Sequence, residues 1–449
     1  MGILFGTDGV RGIANLELTA ELSYKLGQAG AYVLTSEANH TPKILVGMDT
    51  RISGDMLKSA LVAGLCSVGA EVINLGVVPT PAVAYLVRAY KADAGVVISA
   101  SHNSFEFNGI KFFNSLGYKL SDDLEKRIES IVLDNTESII LPTGDKVGRE
   151  IMANSPSDDY VNYIKTTVDN GFDKIKIAID CANGAAYKAA PKALSELGAQ
   201  VFVINNEPNG ININRNCGST HMEGLRDFVV KNNADIGLAF DGDADRVLAV
   251  DETGKIIDGD QIMSIIGLEL KNKGKLSKDT IVATVMSNLG LDMMAKREGL
   301  SIVKTKVGDR YVLENMVENG YVLGGEQSGH IIFLQHNTTG DGLLTGVQLL
   351  NVLKSTGKKL SELATKMQVL PQVLKNAKVK NENKNSYLED QVVSDMCKKL
   401  ENDFSGEGRV LIRPSGTEPL IRVMIEGKDR EYITNKAVEL VRVIEERLG

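Results

Sequence analysis

The stretch Asp241-Gly-Asp-Ala-Asp-Arg246 sets three carboxylates at alternate positions directly after an apolar run at 234–240. Glycine lets the chain curl tightly, so all three can point at one hard cation. An oxygen-only ligand set favours magnesium, manganese or calcium over zinc. A solvated acidic turn is the plain alternative, and the buried run before the loop and the arginine that ends it speak against it. A calcium EF-hand is excluded. Asp241, Asp243, Asp245 and Glu252 do fall at loop positions 1, 3, 5 and 12, but position 6, which should be glycine, is Arg246, and both flanks read as strands.

Three further stretches offer reactive or binding groups. Ser99-Ala-Ser101-His102-Asn103 closes an apolar run at 94–100, the edge at which parallel α/β sheets present their chemistry. A nucleophilic Ser101 and a structural turn are both open on these residues alone. A serine-hydrolase elbow is not, because there is no GxSxG and His102 is a chain neighbour rather than a partner brought in from elsewhere. Gly325-Glu-Gln-Ser-Gly-His330 offers a carboxylate, an amide and a hydroxyl near backbone level, which suits a polyol or a polar turn. Arg413-Pro-Ser-Gly-Thr417, with Arg422 further on, reads as an oxyanion cradle or a proline-stiffened hairpin turn.

The elements that must position these groups recur as strand, loop, helix, strand. The unit reads as a strand at 43–49, a helix at 55–68 and strands at 70–76 and 94–100. It returns at 175–181, 186–197, 200–204 and 234–240, and again at 280–286, 288–298, 301–306 and 320–325. Such alternation predicts three successive α/β domains whose parallel sheets carry helices on both faces. From about residue 370 the pattern changes: strands at 375–380, 409–413 and 420–427 with helices at 386–402 and 430–448 predict a small α+β domain. The net charge of −8, without a basic block, excludes a general nucleic-acid or anionic-membrane surface, and the absence of tryptophan leaves little for base stacking. Four dispersed cysteines form no CxxC pair, which fits a reducing compartment. No secretion signal and no apolar run of the ~18 residues a membrane span requires is expected from the sequence.

A serine, a three-aspartate loop, a polyol loop and a phosphate cradle, in that order along essentially the whole chain, resemble the α-D-phosphohexomutase family. The fold this implies is three α/β domains with mixed or parallel sheets around a central cleft, plus a smaller C-terminal α+β domain. Its divisions would be a phosphoserine domain at 1–152, a metal-binding domain at 153–252, a sugar-binding domain at 253–368 and a phosphate-binding domain at 369–449. Phe5-Gly-Thr-Asp-Gly-Val-Arg-Gly12, Pro208-Asn-Gly-Ile-Asn-Ile-Asn214 with Gly218-Ser-Thr-His221, Gly308-Asp-Arg-Tyr311 and Gln327 resemble the branch that interconverts glucosamine 6-phosphate and glucosamine 1-phosphate, feeding UDP-N-acetylglucosamine. Glucose- and mannose-directed relatives usually carry methionine at the position of Gln327.

By motif matching, the resemblance implies a phosphorylated Ser101 that holds Mg2+ together with Asp241, Asp243 and Asp245. It implies Lys111 as the acid–base lysine, Arg11 and Arg246 flanking the transferring phosphoryl group, and His102 in the catalytic set. Glu326, Ser328 and His330 would read the sugar, and Arg413, Ser415, Gly416, Thr417 and Arg422 would grip the phosphate that does not react. A cytoplasmic homodimer acting on a small sugar phosphate is the corresponding expectation. Two residues depart from the family pattern: Ser104 stands where proline is usual, and Phe107 where an aspartate often is. The alternatives are a glucose- or mannose-directed mutase, a metal-dependent phosphatase and a catalytically silent sugar-phosphate regulator. The last is disfavoured because Ser101 and all three aspartates are present.

Overall fold

A computed structural model describes every residue except 1, 2, 7, 37, 38, 135, 416 and 417. The chain forms two compact units, 1–286 with 301–366, and 287–300 with 367–449.

The first unit contains three sheets. The strand Lys43–Met48 is apolar because helices cover it, and it pairs in parallel with Glu71–Val77 on one side and Ala94–Ile98 on the other. The full order is Phe5–Gly6, Gly9–Ile13, Phe107–Asn114, Ala94–Ile98, Lys43–Met48, Glu71–Val77, Glu150–Met152. Leu26, Leu57, Leu61 and Leu65, from the helices Ala20–Thr35 and Gly54–Ser67, pack on Ile44, Val46 and Val96. These two helices cross closely, since a Cβ at Gly64 would lie 2.1 Å from the Tyr24 carbonyl oxygen and one at Gly27 2.4 Å from that of Leu61. The second sheet runs Ile256–Ile257, Val247–Asp251, Ile236–Phe240, Lys176–Asp180, Gln200–Ile204. The third runs Ser301–Thr305, Thr280–Thr284, Leu323–Gly325, Ile331–Phe333.

Of the mixed or parallel sheets expected, the structure has mixed ones, and the antiparallel strands position the chemistry. Each sheet carries a strand that pairs in parallel with one neighbour and returns antiparallel on the other side: Ala94–Ile98 to Phe107–Asn114, Ile236–Phe240 to Val247–Asp251, Leu323–Gly325 to Ile331–Phe333. The loops between them, at 99–106, 241–246 and 326–330, are too short for the dozen or more residues of a parallel crossover. The serine, aspartate and glutamate–histidine motifs therefore each occupy the tip of a hairpin at the carboxyl end of a central strand. The hairpin flanks of the aspartate loop also remove the EF-hand reading, as does Glu252, which instead accepts the Ser361 hydroxyl and backbone NH.

The second unit is an antiparallel sheet with Leu420–Gly427 between Gln372–Lys378 and Gly408–Pro414. Helices Gln391–Phe404 and Arg430–Leu448 cover one face, burying Val393, Leu400, Ile433, Leu440 and Ile444 against Ile421, Val423 and Ile425. The helix Leu289–Glu298 belongs to this unit; its cap Asn288 donates to the Leu370 carbonyl at 3.0 Å. Among the described residues no helix is long and apolar enough to cross a membrane.

Candidate active site

Ser101 sits at the tip of its hairpin with φ of 52°, in the left-handed region where a non-glycine residue persists only if its surroundings hold it. The holding is visible. The Arg51 guanidinium donates to the carbonyls of Ser101 (2.9 Å), Asn103 (2.8 Å), Phe107 (3.0 Å) and Ser104. Asp49 fixes that guanidinium at 2.8 Å and accepts the Ser99 hydroxyl at 2.6 Å, while Ser99 Oγ accepts the Ser101 NH at 2.9 Å. Asn214 donates to the Ser101 and Asn103 carbonyls at 2.8 and 3.0 Å. Gly242 is required by the approach of the two hairpins, because a Cβ there would meet the Ser101 carbonyl oxygen at 2.5 Å. The departures at Ser104 and Phe107 thus fall where Arg51 secures the loop through backbone carbonyls, which any side chain allows.

Arg51→Lys should release the loop and destabilise the fold together. A lysine cannot reproduce the planar fork, so buried Asp49 and several carbonyls lose their partner. The expected cost is about 3–5 kcal/mol of unfolding free energy, the scale for breaking a buried pair, and chemical denaturation reads it directly. An unchanged denaturation midpoint would remove the clamp role.

The Ser101 hydroxyl donates to Asp241 Oδ2 at 2.7 Å. Asp241, Asp243 and Asp245 are buried, and one carboxylate oxygen from each lies within 4.8 Å of the others. Burial, then Asp245 and Asp243, pushes the Asp241 carboxyl well above its ordinary pKa. Asp243 Oδ1 and Asp245 Oδ1 are buried and have no hydrogen-bond partner. Crowded carboxylates with oxygens left over fit a hard divalent cation. Lys111, 2% exposed, reaches Asp243 Oδ2 at 2.9 Å and Asp8 Oδ2 at 2.8 Å. Its burial alone would favour the neutral amine, but Asp243, Asp8 and Asp245 outweigh it and raise the pKa to about 12.

Next to this cluster lies a cavity of about 470 Å³ lined by Arg11, His102, Arg246, Asp309, Glu326 and His330, among others. Arg11 Nε and Arg246 Nε are buried without a hydrogen-bond partner, so the walls offer cationic donors ready for an anion. His102 is held neutral, its pKa pushed down to about 4 by burial and by Arg246 and Arg11; its Nδ1 accepts from Arg246 at 3.2 Å. Glu326 lines the cavity and accepts the Gly308 NH at 3.1 Å. His330 also faces it, but both ring nitrogens are engaged: Nδ1 lies 3.5 Å from Asp245, and Nε2 accepts the Gly340 NH at 3.0 Å. Ser328 is exposed and does not line the cavity. Gln327 turns away from it, donating to Asp258 Oδ2 at 3.1 Å. Asp258 caps the helix Gly259–Asn272, so Gln327 shapes its loop.

In the second unit Arg413 and Arg422 are direct cross-strand partners. Like charges placed opposite destabilise a sheet unless an anion lies between them, and burial together with Arg422 pulls the Arg413 pKa down. Ser415 is buried beside them, its Oγ accepting the Glu418 NH at 3.3 Å. Gly416 and Thr417 lie outside the described residues.

Four consecutive segments match the phosphoglucomutase/phosphomannomutase alpha/beta/alpha domain I (residues 2–138), domain II (158–254), domain III (258–370) and C-terminal domain (374–443). The chain belongs to the phosphoglucomutase/phosphomannomutase family. It is 76% identical to a phosphoglucosamine mutase of Acetivibrio thermocellus over 449 residues, and 69% identical to that of Ruminiclostridium cellulolyticum, with 100% of each chain covered in both cases. A phosphoglucomutase/phosphomannomutase family protein from Burkholderia thailandensis shares the fold, with a TM-score of 0.81 at 23% identity over 99% of this chain and 98% of that one.

Within this family member, several site residues escape a reading by local motif. Asp49 and Arg51 sit in a polar loop after the strand Lys43–Met48, and only their opposite charges two residues apart hinted at a fixed pair. Asp8, Lys119 and Asp309 also surround the site. Asp8 is held well below the usual carboxylate range; burial opposes this, but Lys111, Lys119 and Arg11 prevail. Asp8 and Asp309 stood inside quoted motifs without an assigned role, and no spacing in the sequence joins them.

Proposed function

We propose that the chain interconverts glucosamine 6-phosphate and glucosamine 1-phosphate through a phosphoserine at Ser101 and a bisphosphorylated sugar. The observation that carries this reading is the Ser101 hydroxyl, clamped in a strained loop 2.7 Å from a buried three-aspartate cluster and beside an arginine-walled cavity. Phosphoryl transfer demands in-line placement and charge neutralisation more than covalent novelty. Arg51, Asn214 and Ser99 keep the nucleophile placed. Arg11, Arg246 and Lys111 bring positive charge to the equatorial oxygens. Mg2+, when held by Asp241, Asp243, Asp245 and a phosphoserine oxygen, would neutralise the group being transferred.

Transfer to the sugar breaks the Ser101 Oγ–phosphorus bond as a sugar hydroxyl oxygen bonds to phosphorus; the Lys111 ammonium gives its proton to the departing Ser101 Oγ and takes one back from the sugar hydroxyl. The bisphosphorylated sugar then returns its other phosphoryl group to Ser101. In this reading Glu326 is the best-placed acceptor for the sugar, while Arg413, Arg422 and Ser415, with Gly416 and Thr417, grip the phosphate that does not react. The divisions 1–152, 153–252, 253–368 and 369–449 then supply the phosphoserine, the metal, the sugar contacts and the phosphate grip. The proposal includes a cytoplasmic homodimer that supplies precursors of UDP-N-acetylglucosamine and peptidoglycan.

The test is kcat/KM for the 1-phosphates of glucosamine, glucose and mannose. At carbon 2 the amino sugar presents an ammonium where glucose has a hydroxyl. One charge-assisted hydrogen bond of about 1.5–3 kcal/mol predicts a preference of roughly ten- to a hundredfold. A win for glucose or mannose 1-phosphate would place the chain in the sister branch. Because Gln327 donates to Asp258, Gln327→Met is expected to alter that preference less than about fivefold, acting through loop placement rather than an amine contact.

A further inference from the structure

Behind the cavity, charges that the reaction scheme leaves unused form a continuous chain of ion pairs. Lys119, past the turn that follows the strand Phe107–Asn114, places its ammonium between two carboxylates, 2.5 Å from Asp8 Oδ1 and 2.5 Å from Asp309 Oδ2. Asp8 Oδ2 takes both Lys111, at 2.8 Å, and Arg11. Asp309 Oδ2 lies 3.4 Å from His330 Nε2. Lys111 then reaches Asp243, which ties this chain of charges to the aspartate loop. Asp8, Asp309 and His330 line the cavity, whereas Lys119 does not.

Asp8 is the hub of this arrangement. The two cations it holds are ones assigned to the transferring phosphoryl group, and they share a single oxygen of Asp8. The other oxygen is held by Lys119, so the rotation of the Asp8 carboxylate, and with it the placement of Arg11 and Lys111, depends on that second contact. On the other side, Lys119 fixes Asp309, which lines the cavity at the start of the helix Asp309–Asn319. A well-packed apolar contact would join these segments as firmly without the cost of desolvating charges. What a half-buried ammonium adds is the orientation of the two carboxylates that face the substrate.

We propose that Lys119 is a positioning residue for phosphoryl transfer, aligning Arg11 and Lys111 through Asp8 and holding Asp309 in place at the cavity wall. The inference rests on the phosphoserine reading above. A displacement of about 1 Å in groups aimed at a reacting centre can cost about a hundredfold. Lys119→Met is therefore expected to lower kcat about ten- to a hundredfold while KM stays within about threefold. Lys119→Arg, which keeps the charge between the two carboxylates, should recover kcat to within about fivefold of wild type. If Lys119→Met does not fold, the paired Lys119→Met/Asp309→Asn variant, which removes a charge of each sign, should fold and show the same loss in kcat.

Wild-type kcat in Lys119→Met or in the pair would overturn the proposal. So would a loss carried entirely by KM, or a loss in Lys119→Met that Lys119→Arg does not recover. Ser101→Ala assayed alongside separates the two claims. Turnover by Ser101→Ala defeats the phosphoserine reading itself, whereas an inactive Ser101→Ala with a fully active Lys119→Met defeats only the role of Lys119.

Discussion

Ser101→Ala is expected to lose at least about a thousandfold in mutase turnover, the scale on which removal of a covalent nucleophile registers, with little change in stability. The small structural cost follows from what the hydroxyl touches. Its Oγ donates to Asp241 and lies 3.3 Å from His102, but it holds no backbone group. The left-handed conformation at this position is imposed from outside, by Arg51 and Asn214 on the carbonyls and Ser99 on the NH, and alanine keeps all of those contacts. Activity and fold should therefore separate cleanly in this variant. Intact mass after incubation with glucose 1,6-bisphosphate checks the mechanism: the wild-type chain should gain one phosphoryl group, and Ser101→Ala none. A phosphoryl group mapped to another residue, together with full turnover by Ser101→Ala, would end the phosphoserine mechanism.

The elements that carry the site were legible in the sequence because each is built locally. The strand Gln200–Ile204 and the helix Arg430–Leu448 fall where their apolar periodicity places them, and the aspartate loop announces itself through alternation over a few residues. Pairing direction was less legible. Parallel and antiparallel neighbours of a buried strand both read as short apolar runs, and only the shortness of the loops 99–106, 241–246 and 326–330 distinguishes a return hairpin from a crossover. Support for the site was least legible, since its partners are distant in the chain: Arg51 and Ser101, Asn214 and Ser101, Lys119 and Asp309. Gln327 shows the opposite limit. Its residue type marks the branch that the chain resembles, yet its amide is spent on a helix-capping aspartate, so type alone did not reveal what it touches.

Chelation of divalent cations is expected to abolish turnover, and Mg2+ to restore it better than Ca2+ or Zn2+. The aspartate loop explains why. Lys111 and the Thr80 hydroxyl both satisfy Asp243 Oδ2, at 2.9 and 2.7 Å, which leaves Asp243 Oδ1 buried and unpartnered. Asp245 shows a similar division, with Oδ2 turned to His330 and Oδ1 without a hydrogen-bond partner, 3.8 Å from Arg246 Nε. Asp241, with its pKa pushed up by burial and by both neighbours, is the carboxylate that most needs a cation before it can stay ionised. A small ion bound by three carboxylate oxygens suits Mg2+. Ca2+ prefers more ligands at 2.3–2.6 Å than three carboxylates supply, while Zn2+ favours nitrogen and sulfur donors that the loop lacks. Binding to the folded state alone should also raise the melting temperature, by about 2.7 kcal/mol of added stability at a hundredfold excess over Kd. Asp243→Asn should abolish both responses, because it removes a ligand charge and a partner of Lys111 together. Metal-free protein, verified by elemental analysis, that retains full turnover would sink the assignment. Melting that responds equally to Mg2+ in wild type and Asp243→Asn would place the ion elsewhere.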